Sequence, residues 1–96
     1  MKYLIITGFI ASLALISPVY AGSAEYDDCI LQNLPRSKLD VTTQLIKQAC
    51  EENHQASSFA SEKRRAYNQC LLQHLPGVEN LPAAMAIRAA CDRKHL

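Results

Sequence analysis

Beyond a first stretch that is apolar almost throughout, apolar residues return along this chain at helical spacing in four separate runs. Tyr26, Cys29, Ile30 and Leu34 recur at steps of three, one and four, which places them on one face of a helix. Ser23 is its expected N-cap, with Glu25, Asp27 and Asp28 near the positive end of the helix dipole. Pro35 stops it, because the residue before a proline is pushed out of the α region. After a turn at 35–39 the next stripe is Val41, Thr42, Leu45, Ile46, Ala49 and Cys50, with Ser37 and Asp40 as a capping box, or Asp40 capping alone. Residues 54–58 then link to a third helix, expected to be capped by Ser57 or Ser58 and to run longer than the first. Its buried side is read as Phe59, Ala66, Tyr67, Cys70, Leu71 and either His74 or Leu75, with 62–65 facing water. Pro76-Gly77 is a strong stop. Asn80 caps the fourth helix, Pro82 sits in its first turn, and Ala83, Ala86, Ile87, Ala90 and Cys91 form its core face. No stretch of β-branched residues alternates with period two, so the fold class is all-α: two tandem helical hairpins, four helices, packed as one small domain.

The two hairpins are copies of one unit. Residues 26–54 and 67–95 align without a gap at a shift of 41, with ten of 29 positions identical and all four cysteines in frame. Tyr26/Tyr67, Leu31/Leu72, Leu34/Leu75, Pro35/Pro76, Ile46/Ile87, Ala49/Ala90 and His54/His95 are among the matches. Self-similarity of this kind marks a duplicated supersecondary unit.

The first stretch has a different character. Lys2, an apolar run over 4–16, Pro18 and the small-residue end Val19-Tyr20-Ala21 compose a signal peptide at 1–21, cleaved after Ala21 or, less favourably, after Ala24. The run is shorter than the roughly 20 apolar residues a spanning helix needs. The remaining 22–96 form a single domain, periplasmic or secreted from a bacterium, with no stable membrane insertion after cleavage. Removing Lys2 leaves nine basic residues against nine acidic ones. That balance argues against nucleic acid and against a polybasic membrane peptide. Lys63-Arg64-Arg65 is the one basic run, read as a solvated face.

An even number of cysteines in a short exported chain reads as disulfides. Four cysteines allow three pairings; Cys29–Cys50 with Cys70–Cys91 is favoured because a duplicated unit most simply brings its own bridge. Register opposes it: counted at 1.5 Å per residue, a flush hairpin leaves Cys29 and Cys50 about 8 Å out of step. A bridge needs Cα atoms within about 7 Å, so the connection must run back along the first helix. Cys50 with His54, and Cys91 with His95, stand four apart on one helical face, where zinc is conceivable, but no cysteine pair has zinc-ribbon spacing. No Cys-x-x-Cys, no glycine-rich loop and no nucleophile–base–orienter set is visible, so neither enzyme activity, a cofactor nor a metal is expected. Tyr26 and Tyr67 are expected to pack over the bridges.

The motif Tyr-x-x-Cys-(Ile/Leu)-Leu-Gln-x-Leu-Pro, followed by Ile-(Lys/Arg)-x-Ala-Cys, resembles the unit of a family of small exported bacterial four-cysteine proteins with a tandem repeat. Tyr26, Cys29, Ile46, Ala49 and Cys50 carry it in one copy; Tyr67, Cys70, Ile87, Ala90 and Cys91 carry it in the other. The resemblance implies export and disulfides and supplies no activity. Where that pattern often has Gly in the turn, this chain has Arg36 in the first copy and Gly77 in the second, so the first turn is expected to differ. The leading functional expectation is a non-enzymatic interaction module of the cell envelope, binding an envelope or extracellular protein. Leu31 and Leu72, off the main stripes, are its candidate contacts unless they fill the seam between hairpins. A secreted effector or toxin-like peptide is the alternative, and a zinc-binding protein stands behind it.

Overall fold

Pro35 and Pro76 set the geometry of two hairpins by ending their first helices. The computed structural model describes residues 21–55 and 59–96; the expected signal peptide lies, up to its last residue, outside them. Helix α1 spans Ala21–Asn33, followed by a 3-10 turn at Leu34–Arg36; α2 spans Asp40–His54, α3 Glu62–His74 and α4 Leu81–His95. No strand forms among the described residues. The all-α expectation holds.

Each hairpin is closed by its own bridge. Cys29–Cys50 and Cys70–Cys91 have Cα atoms 5.7 and 5.8 Å apart, and no cysteine is free. The register offset is absorbed between the helices, where Ser37 and Leu39 are extended and carry the chain back before α2 begins. The turns differ, as Arg36 implied. In the first, the Arg36 guanidinium donates to the Gln32 carbonyl at 3.2 Å and to Asn33 Oδ1 at 3.3 Å, holding the end of α1. In the second, Gly77 takes φ +87°, open to glycine at little cost, with no atom near enough to crowd a Cβ. The Gly77 N–H donates to the Arg36 carbonyl at 2.8 Å, tying turn to turn.

Several local expectations are corrected. Ser23 lies within α1, which is described from Ala21, and not at its N-cap position. At α2 the N-cap is Leu39, and Asp40 is the first helical residue. The Ser37 hydroxyl forms no capping box; it meets the hydroxyls of Thr42 and Thr43 at 2.9 and 2.7 Å, while both threonines donate to the Leu39 carbonyl. At α3 the cap is Ser61, whose hydroxyl accepts from the Arg64 N–H at 3.1 Å; Ser57 and Ser58 lie outside the described residues. That cap keeps Phe59 out of the helix, 97% exposed rather than buried. α3 is therefore no longer than α1, at 13 residues each. Asn80 does cap α4, accepting from the Ala83 N–H at 2.9 Å, with Pro82 in the first turn. The buried face of α4 is Ala84 and Cys91 with half-buried Ile87, leaving Ala86 and Ala90 in water.

Helix α2 packs against both α1 and α3, whereas α4 rests on α3 and touches α2 lightly. Ile46, Ala49 and Cys50 of the central α2 are completely buried, joined in one core by Tyr67, Leu71, Leu72 and Leu75. A chain this short buries little more apolar surface than offsets its conformational entropy. Each bridge, spanning 21 residues, adds on the order of 3 kcal/mol in the chain-entropy model. We expect the helical circular dichroism of the oxidised protein to survive heating at temperatures where the reduced protein has lost it. Replacing either cysteine pair by alanine should cost about 2–5 kcal/mol. Helix content that persists in full after both reduction and heating would show that the core alone holds the fold.

Candidate functional site

The two leucines proposed as a contact surface are equivalent in sequence and opposite in structure. Leu72 is 8% exposed and belongs to the core, so its reading as a surface contact is corrected: it fills the seam between the hairpins. Leu31 is 70% exposed. The cause is position. α3 is an inner helix, with α2 on one side and α4 on the other, while α1 is an outer one packed on α2. The same contrast separates α2 from α4. Ala49 is fully buried and Ala90 exposed; Ile46 is fully buried and Ile87 only half-buried. The outward faces of α1 and α4 thus present what the inner helices bury.

The seam also carries a polar clasp that the sequence did not suggest. Asn68, 1% exposed, donates from one amide nitrogen to Glu52 Oε1 and Asn53 Oδ1, each at 2.9 Å. Asn53 donates to the Arg65 carbonyl at 3.1 Å, and Arg65 Nη1 returns a bond to the Asn53 carbonyl at 3.0 Å. Arg64 Nε lies 2.8 Å from Glu52 Oε1, its guanidinium 4.9 Å from the centre of the Tyr67 ring. The basic run 63–65 is therefore not a wholly solvated face, since two of its members reach across to α2. Tyr67 is buried in the same cluster as the cysteines, and its hydroxyl accepts from Arg88 at 3.4 Å. Partial burial pushes the Glu52 carboxyl up, but hydrogen bonds from Arg64, Asn68 and Gln48 outweigh it and hold the pKa below the ordinary 4.5.

Two open grooves flank the seam. One of about 360 Å³ runs between α1 and α3, lined by Glu25, Asp28, Cys29, Gln32, Asn33, His54, Gln69 and Leu72. The other, about 310 Å³, lies on the second hairpin and is lined by Ala66, Gln69, Cys70, Gln73, His74, Lys94 and His95. Next to it Ile87 and Ala90 line an apolar shelf. Among the described residues no three of His, Cys, Asp and Glu come close enough together to hold a metal ion. Cys50 and Cys91, the conceivable zinc ligands beside His54 and His95, have their sulfurs in the bridges. No helix among the described residues is long and apolar enough to cross a membrane.

A family model for four-cysteine proteins, described as VF_A0006-like, matches residues 9–95. Comparisons with curated proteins and with solved structures found no match.

The clasp has a pH signature. Because folding lowers the Glu52 pKa from 4.5, its contribution is complete above that value and is lost as pH falls through the lower, folded one. Chemical denaturation of the oxidised protein across this range should show stability falling on acidification, with a shallower fall in Glu52→Gln. An identical acid profile in that variant would contradict the assignment.

Proposed function

This chain belongs to the VF_A0006-like four-cysteine family, and from its geometry we propose that it is an exported, non-enzymatic interaction module, a rigid helical stack that binds protein through its outer faces. One observation carries the reading: Leu31 on α1 and Ala90 on α4 stand open where their counterparts Leu72 and Ala49 are buried, and Ile87 beside Ala90 is half-buried where Ile46 is fully so. A single exposed leucine on a soluble protein is ordinary. Matched apolar positions left open on both outer helices of a repeat stack are a docking feature, since stacked units bury their faces against neighbours.

The bridges support the rest of the proposal. Disulfides persist in oxidising compartments, so the two here point to a non-cytoplasmic setting. With the signal-like character of 1–21, the periplasm or the outside of a bacterial cell is where the module acts. Crosslinked hairpins also suit recognition, because a surface fixed before binding loses little entropy on docking.

Crosslinking in intact cells tests this reading. We expect the protein in the extracytoplasmic fraction, starting at Gly22 or Glu25, and in a discrete crosslinked species that disappears in Leu31→Asp. Leu31 is exposed, so that variant should keep the helical spectrum. A protein retained in the cytoplasm with reduced cysteines, or a crosslinked species indifferent to Leu31→Asp, would overturn the proposal.

A further inference from the structure

Resting on that reading, we propose that the partner is a second copy of this chain, bound head to tail, with α1 of one copy seated against α3 and α4 of the other. The internal joint between the hairpins is the template. Six of the seven residues lining the groove on the second hairpin stand 41 positions after residues lining the groove between α1 and α3. The two grooves are closely equivalent and differ most on the far side. The first is closed on its far side by Gln69 and Leu72 of α3, and the second has no such wall. The counterparts of Gln69 and Leu72 are Asp28 and Leu31, both exposed on α1. A second copy placed as α3 is placed within the chain would bring Leu31 over the open groove and its α1 onto the shelf of Ile87 and Ala90.

Charge agrees with the fit and assigns its direction. α1 carries Glu25, Asp27 and Asp28 and no basic residue, while the last turn of α4 carries Arg93, Lys94 and His95. In the internal joint Asn68 meets Glu52 and Asn53. Shifted by 41, that trio becomes Asp27 opposite Arg93 and Lys94, all three exposed. A clasp in which one amide donates to Glu52 and Asn53 inside the chain thus becomes an acid–base pairing between copies. Both outer faces of one copy are used, and they differ from each other, so the contact is heterologous and can extend beyond two copies.

Sedimentation velocity on the purified oxidised protein, over a concentration series, tests this. The expected result is a mass that rises with concentration and falls back when salt screens the charge pairs. Leu31→Asp, which spoils the α1 face, and Ala90→Asp, which spoils the α4 face, should each be monomeric with an unchanged helical spectrum. Mixed in equal amounts they should form a dimer and nothing larger, because one copy keeps the intact α1 and the other the intact α3–α4 face. A wild-type protein that stays monomeric at every concentration, self-association that survives Leu31→Asp, or a mixture that stays monomeric would each overturn the proposal. If a Leu31-dependent crosslink to a different protein persisted in cells while the purified protein stayed monomeric, the second-copy proposal would fall and the interaction module would stand.

Discussion

Where α3 crosses α2, Asn68 sits almost wholly out of water with its amide satisfied by Glu52 and Asn53, while Leu72 closes over the same seam. Leu72 is buried only while the hairpins meet, and the buried Asn68 amide is satisfied only by partners on α2. A buried amide that loses its partners costs roughly 1–3 kcal/mol, and a buried leucine truncated to alanine about 2–5 kcal/mol. The seam therefore fixes how the hairpins sit, and with that which faces remain outside. Every surface property discussed above follows from α2 and α3 being inner helices and α1 and α4 outer ones.

The disulfides work at a shorter range. Each bridge joins the two helices of one hairpin and none crosses the seam. Crosslinks thus hold the hairpins, and side-chain packing with the clasp holds the pair. This division explains how two hairpins bridged in the same way supply two kinds of surface. The covalent part is repeated unchanged, while the environment of each copy depends on what lies beside it. Glu52 and Arg64 belong to that second layer: their ion pair spans the seam, and a shift of 41 replaces Glu52 by Arg93 and, in the other direction, Arg64 by Ser23.

Much of this was legible in the sequence because the signals were local or periodic. The stripes of α1 and α2, the stops at Pro35 and Pro76, the Asn80 cap and the within-repeat bridges each depend on residues near one another or on the repeat itself. What escaped depended on the packing of one copy against the other. Leu31 and Leu72 are the same residue in the same motif, and only placement in the stack makes one core and the other surface. Ala90 lies on the apolar stripe of α4 as Ala49 lies on that of α2, yet α4 has no third hairpin to cover it. Asn68 stands between Tyr67 and Leu71 like an ordinary surface position, so nothing local marked it as buried. Ser61, three or four residues beyond the expected caps, moved the start of α3 and put Phe59 into water. Competition between neighbouring serines for one helix terminus is not settled by propensity.

The central claim is that placement in the stack, and not residue type, decides what these positions do. Equilibrium unfolding of the oxidised protein carrying Leu72→Ala, compared with Leu31→Ala under conditions where the protein is monomeric, tests it most directly. The account predicts a loss of about 2–5 kcal/mol for Leu72→Ala, as for a core leucine. It predicts a change within about 0.5 kcal/mol for Leu31→Ala, as for a surface substitution. Equal losses at the two sites, or a larger one at Leu31, would contradict it.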